Sequence, residues 1–225
     1  TAGQAVVGAA RALRAALVEA ASPLLDAPKE QVSMVAGRLV AAGRSLGIAE
    51  VVRRTGPFPE GSELTGETSV TSETPELTSF CAQVAEVHVD PETGEVTVNK
   101  IITAHDIGAI LNPMNHQGQV EGGLIQGLGY ALMEELQLAD GRISTLSFGD
   151  YKIPTSADVP EMVTVLIQGD AGPAPYESKG IGESSNIPVA GAIANAVFDA
   201  VGVRITELPV TAEKVLAGLK AKGTL

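Results

Sequence analysis

The chain reads as an α+β fold, with mixed sheets and flanking helices. Three observations lead there. Ala85, Val87 and Val89 alternate with Glu86, His88 and Asp90, and Val96 and Val98 return after Pro91-Glu92-Thr93-Gly94, the pattern of a half-buried hairpin. Four segments, near residues 3–20, 116–136, 187–201 and 211–221, repeat apolar residues at helical spacing. Strands and helices then alternate irregularly, which disfavours the regular β-α-β succession of a doubly wound sheet.

The elements follow in order. Val6, Val7, Ala10, Leu13, Leu17 and Val18 place a helix over 3–20, with Pro23 as its stop. Val32 to Val35, Ala36-Gly37 and Arg38 to Val40 form a small hairpin. Ser45 is positioned to cap a short helix running to Val52. Residues 54–78, rich in Thr, Ser, Glu, Pro and Gly, read as a long loop with one edge strand. The hairpin follows, with Gly94 supplying the left-handed turn residue, and its tail leads through Ala104-His105-Asp106-Ile107-Gly108 to Leu111-Asn112-Pro113.

The helix over 116–136 has an unusual composition. Val120, Leu124, Ile125, Leu128, Ala131 and Leu132 form its apolar face, yet Gly118, Gly122, Gly123, Gly127 and Gly129 share the same stretch. Each interior Gly costs about 1 kcal/mol relative to Ala, so some surface must approach this backbone closely. A β-rich stretch follows over 135–167, turning at Asp140-Gly141. Then come a helix over 187–201, a short strand near 203–206, and a last helix over 211–221 capped by Thr211.

Composition bounds the function. The 225 residues are 44% hydrophobic and 19% charged, as in globular proteins. A formal net charge of −12 disfavours nucleic acid, which requires clustered Lys and Arg. No apolar run reaches the ~20 residues of a membrane span, no signal peptide is visible, and a cytoplasmic location is expected. Cys81 is the lone cysteine, so a Cys-rich zinc site or an iron–sulfur cluster cannot be built here. The chain starts at Thr1 directly in a helical pattern, as a fragment or processed subunit would.

Two segments carry chemistry. In Glu177-Ser178-Lys179-Gly180-Ile181-Gly182-Glu183 two glycines alternate before a carboxylate, and Pro188 opens a helical pattern behind an Asn or Ser cap. Glu183 is therefore expected in a tight turn at a helix N-terminus. There it is either a dipole-matched structural acid or a base. Asn112 to Gln119 could present amides and backbone N–H groups to an anionic ligand. Other constellations fail. The glycines near 127–129 lack the dinucleotide fingerprint, and no phosphate-binding loop or nucleophile elbow is present. His88, His105 and His116 show no metal-ligand spacing, and Glu134-Glu135 reads as a solvated helix end. For each histidine a solvated or core-satisfied role is favoured over that of a ligand.

Taken together, Gly118-Gln119-Val120-Glu121-Gly122-Gly123-Leu124-Ile125-Gln126-Gly127-Leu128-Gly129-Tyr130, Tyr151-Lys152-Ile153-Pro154 and Ser178-Lys179-Gly180-Ile181-Gly182-Glu183 resemble the C-terminal molybdopterin-binding region of the xanthine dehydrogenase/aldehyde oxidase family of molybdenum hydroxylases. The Ala85–Val96 hairpin, Asp106-Ile107-Gly108 and Leu111-Asn112-Pro113 agree with it. The resemblance implies oxidation of an aldehyde or a purine-like N-heterocycle, with water as oxygen source. It implies Glu183 as catalytic base and Gln119 as the pterin-binding amide. Gly118, Asn112, Gly180 and Gly182 are its further cofactor-binding residues.

It also implies molybdopterin with molybdenum, the cytosine dinucleotide form being open. Iron–sulfur clusters and FAD would sit on partner chains or domains. The implied partners are the upstream half of the molybdenum-binding subunit, an iron–sulfur subunit, in some relatives an FAD subunit, and a small-molecule substrate. Residues 1–55 would complete an upstream subdomain, and 56–225 would form the C-terminal cofactor-binding subdomain. The chain alone is expected to be inactive. Ser184 departs from the family's usual Pro. The alternative is a scaffold or assembly module that kept the fold without the chemistry, and an unrelated Gly-loop nucleotide binder is disfavoured.

Overall fold

The structure is a computed structural model that describes residues 2–56, 64–71 and 79–223. It divides into two compact units, Thr1–Pro75 and Glu76–Leu225.

In the first unit, helix α1 (Ala2–Leu25) packs on a three-stranded antiparallel meander, β1 (Ser33–Val35), β2 (Arg38–Ala41) and β3 (Arg44–Gly47), followed by α2 (Ile48–Thr55). Pro23 does not stop α1 but lies inside its last turn. Only one backbone bond is forfeited there, and Ala21 and Leu25 bury against Leu39 and Val51 in the unit's core. The expected hairpin is present. Its Ala36-Gly37 turn has both residues left-handed (φ 47° and 74°), and Ala42-Gly43 repeats this at 48° and 75°, the hand that matches strand twist. That second turn makes β3 at Ser45, so the expected short helix through Val52 is present as α2 but begins at Ile48 without a Ser45 cap. Ser45 pairs opposite Val40 in the ladder and accepts from the Arg38 guanidinium at 3.1 and 3.0 Å. No strand occurs over residues 64–71; the remainder of the expected edge-strand region, at 57–63 and 72–78, lies outside the described residues.

The second unit is built on a mixed sheet. β4 (Cys81–Val89) pairs antiparallel with β5 (Val96–Asp106), and β5 pairs parallel with β8 (Glu161–Ile167). The α+β reading with mixed sheets therefore holds. Helices α3 (Pro113–Leu132) and α4 (Val189–Val201) supply the opposing layer: Val98 and Ile101 of the sheet meet Leu124, Leu128, Val189 and Ile193. A second cluster joins Val89 and Val197 to Val215 and Leu219 of α5 (Ala212–Lys222), which Thr211 caps through Lys214 N at 3.3 Å.

Two β expectations shrink. Between 135 and 160 only a two-residue ladder forms, β6 (Leu138–Ala139) with β7 (Arg142–Ile143), across Asp140-Gly141. Residues 203–206 are irregular. Instead of joining a ladder, Arg204 donates to Asn195 at 2.6 Å and lies 4.0 Å over the Phe198 ring. No described helix is long and apolar enough to cross a membrane.

Leu124 is fully buried where α3 meets the sheet. Leu124→Ala should cost about 2–5 kcal/mol by denaturant unfolding, because the helix–sheet layer cannot collapse into the void. Val163→Ala, on the solvent side of β8, should cost well under half of that.

A pinned glycine turn against a glycine helix

The Glu183 turn hangs between two fastened segments. Upstream, residues 177–179 are stitched to the end of β5. Lys179 N donates to Ile107 O at 2.9 Å, and Ala109 N and Gly172 N donate to Glu177 O at 3.0 and 2.8 Å. Lys179 Nζ binds Asp106 Oδ2 at 2.5 Å. Downstream, three consecutive carbonyls are held. Cys81 Sγ donates to Ser184 O at 3.4 Å, Gln83 Nε2 to Ser185 O at 2.7 Å, and the Tyr130 hydroxyl to Asn186 O at 2.7 Å. Between them Gly180 and Gly182 have nothing within 4 Å of where a Cβ would stand, and Glu183 is exposed at the end of the span.

The turn is not at a helix N-terminus as expected. Residues 182–188 form a run of turns, and α4 begins at Val189 behind Pro188, with no side-chain cap. The Asn186 amide, a candidate cap, instead donates to Gln126 Oε1 on α3 at 3.1 Å. A helix dipole acts over its first turn, so it gives no account of why Glu183 stands where it does. The packing against α3 does.

That packing divides the α3 glycines into two sets. Gly123, Gly127 and Gly129 are buried. A Cβ at Gly123 would collide with Ser185 Oγ, and one at Gly127 would lie 2.6 Å from Val189 Cγ2. One at Gly129 would strike the Glu134 carboxylate. Gly118 and Gly122 are exposed, and a Cβ on either would meet nothing within 4 Å. Gln119 and Gln126 are exposed on the same helix. Asn112 caps α3, its Oδ1 accepting from Asn115 N at 3.0 Å, with Pro113 opening the helix. Gln119 lies one turn before Gly123 and so one turn from the contact with Ser185.

Sequence reasoning missed the residues that hold the turn. Asp106, Gln83, Cys81 and Tyr130 lie on β5, β4 and α3, and no local motif joins them to residues 177–186. The motif Asp106-Ile107-Gly108 was the one available signal. Glu134 also departs from the expected solvated helix end, because the Tyr151 hydroxyl donates to its Oε2 at 2.6 Å. His105 is core-satisfied, 2.6 Å from Thr103 Oγ1, and burial lowers its pKa. Burial raises the Cys81 thiol, which keeps it a donor to Ser184 O. A cleft of ≈ 390 Å³ lies elsewhere, lined among others by Thr97, Leu128, Asp158 and Thr211, and takes in none of the turn residues.

Three of the six buried side-chain polar atoms without a partner among the described residues belong to the turn and its support: Gln83 Oε1, Ser184 Oγ and Ser185 Oγ. His116 Nδ1, one turn before Val120 on α3, is a fourth. Native structures leave few such groups. An exposed carboxylate, bare glycine backbone and orphaned polar atoms thus occur on α3 and on the segment packed against it.

Known proteins are similar to the chain in sequence and fold. A family model described as the molybdopterin cofactor-binding domain matches residues 1–160, and the chain belongs to that family. The putative xanthine dehydrogenase molybdenum-binding subunit of Escherichia coli is 33% identical over 230 residues, covering 97% of this chain and 30% of that one. The aldehyde oxidoreductase molybdenum-binding subunit of the same species is 33% identical over 195 residues, 83% of this chain and 26% of that one. Quinoline 2-oxidoreductase from Pseudomonas putida 86 superposes with a TM-score of 0.73 at 30% identity, over 92% of this chain and 28% of that one. A Cu,Mo-CO dehydrogenase reaches 0.77 at 24% identity, a likeness of fold alone, over 99% and 29%. The chain spans less than a third of the length of each of these relatives.

Two outcomes follow. Gly123→Ala should destabilise the chain by about 1–3 kcal/mol, whereas Gly122→Ala, one residue away, should stabilise it by about 0.5–1 kcal/mol; chemical unfolding of both variants checks this. The Asp106 carboxyl is held below its ordinary range, first by the hydrogen bond from Lys179 and then by the Gly108 N–H. A depressed carboxyl stabilises above its unfolded pKa of about 3.9 and loses that stabilisation as pH falls through the folded value. Asp106→Asn should therefore be less stable than wild type at neutral pH, with a flatter acid limb below about pH 4.

Proposed function

We propose that the chain forms the part of a molybdenum hydroxylase that binds one side of molybdopterin and supplies Glu183 as the general base. The observation that carries this reading is the juxtaposition of Glu183, on its arch of bare glycines, with the glycine-bearing helix α3. When bound, the molybdenum–pterin group supplies a two-electron oxidising centre for an aldehyde or a purine-like N-heterocycle, with water as the oxygen source.

The chain's own residues contribute binding and proton handling. Gly118 and Gly122 leave one face of α3 without side chains, so a flat ring system can approach the backbone. Gln119 brings one amide with both donor and acceptor character, suited to the polar edge of a pterin. Asn112 spends its oxygen on capping α3 and has its amide nitrogen left to offer. Gly180 and Gly182 keep the approach to Glu183 clear of side chains. The Glu183 carboxylate, exposed, can accept a proton at either Oε as substrate is oxidised. The matching relatives carry names for xanthine, nicotinate and aldehyde oxidation, which supports a small-molecule substrate. Several of those names mark one subunit among others, which supports partner chains; iron–sulfur clusters and, in some cases, FAD belong there.

In the holoenzyme containing this chain, Glu183→Gln should lower kcat by at least about 100-fold, within the range of a lost general base, with molybdenum content unchanged. Steady-state kinetics with metal analysis tests this, and near-normal turnover would remove Glu183 from the chemistry. Gln119→Ala should instead lower the pterin retained on purification.

A further inference from the structure

We propose that the Asp106–Lys179 ion pair is a positioning device for Glu183, fixing the upstream foot of the arch on which the carboxylate stands. The proposal rests on the reading of Glu183 as base.

Lys179 is the cation nearest in sequence to Glu183, and its place just before a glycine turn would suit a ligand contact. The structure uses it otherwise. Its side chain is 5% exposed and that of Asp106 14%, and Nζ is in direct contact with Oδ2. Asp106 Oδ1 also accepts from Gly108 N at 3.3 Å. Gly169 packs so closely that a Cβ there would lie 2.5 Å from the same oxygen, and a Cβ at Gly172 would stand 2.8 Å from the Lys179 chain. The pair is closely packed by the backbone at Gly169 and Gly172.

The pair lies where the backbone needs holding. Tyr176 and Glu177 are both left-handed, with φ of 60° and 64°. Such conformations are unfavourable for residues with a Cβ and persist only where the surroundings over-determine them. Beyond Lys179, among the described residues, the arch is next held at Glu183 O, which accepts from Asn186 N at 3.1 Å. Gly180 and Gly182 resist rotation least of all residues, so the path of the arch is set by its two feet. The downstream foot has uncharged hydrogen bonds, including the long one from the Cys81 thiol. The upstream foot has the only ion pair within the turn and its support among the described residues.

The test uses the holoenzyme containing this chain, with Lys179→Met, Lys179→Arg, Asp106→Asn and Glu183→Gln prepared alongside. Lys179→Met should lower kcat by about 10- to 100-fold, the scale of a misplaced group of about 1 Å. KM should stay within about two-fold and molybdenum content should not change. Lys179→Arg should recover most of the loss, because the guanidinium can still reach Asp106. Hydrogen exchange at the amides of Ala109, Gly172 and Lys179, which are hydrogen-bonded at the upstream foot, should quicken at least ten-fold in Lys179→Met, return in Lys179→Arg, and leave β4 protected. Should Lys179→Met fail to fold, Asp106→Asn should show the same kcat loss and faster exchange. A Lys179→Met enzyme with unchanged kcat and exchange, beside an inactive Glu183→Gln, overturns the proposal while sparing the base. A raised KM with kcat intact overturns it in favour of ligand contact. Normal turnover in Glu183→Gln removes the base reading and this proposal with it.

Discussion

The close approach of α3 to residues 185–189 is the constraint on which the second unit depends. A helix normally presents side chains to its neighbours. Here Gly123 and Gly127 present backbone, and Ser185 and Val189 occupy the space that two methyl groups would need. That proximity brings Gln126 and Tyr130 within bonding distance of Asn186. It also seats Val189 and Ile193 against Leu124 and Leu128. The same two glycines therefore join α4 to the core and set the height of the turn that precedes it. The helical cost of the glycines, about 1 kcal/mol each, is offset by burial along the rest of the apolar face.

The exposed glycines of α3 obey a different logic. Gly118 and Gly122 carry the same helical penalty, yet nothing among the described residues packs where their side chains would stand. A penalty without an internal partner points outward, and Gly180 and Gly182 repeat the arrangement on the turn. The glycines therefore act in two ways. Buried glycines fix where the turn stands, and exposed ones leave room for what it meets.

Much of this was legible in the sequence, for identifiable reasons. The β4–β5 hairpin announced itself by strict alternation and a Gly94 turn. α3 did so by apolar spacing strong enough to survive five glycines, and α5 by its Thr211 cap. The short helix through Val52 is present as α2, but it starts at Ile48 behind Gly47 rather than at a Ser45 cap, because a second Ala-Gly turn draws Ser45 into β3. The strand near 203–206 failed because an apolar run needs a ladder partner, and Arg204 instead returns to α4. At the site, the glycine pattern and the family resemblance marked α3 and the Glu183 turn. What fastens them was hidden. Asp106 and Lys179 are far apart in the chain, and their pairing depends on how β5 is laid against the returning segment.

The proposed function requires the bare face of α3 and the Glu183 turn to border one molybdopterin site from the same side. An experimental structure of the cofactor-loaded holoenzyme tests it most directly, through the distances from the bound group to Gly118 Cα, Gly122 Cα and the Glu183 carboxylate. The account predicts pterin atoms in van der Waals contact with the α3 glycines and the Glu183 oxygens on the molybdenum-bearing side. Polypeptide packed over Gly118 and Gly122, with the Glu183 carboxylate turned away from the metal, would contradict it.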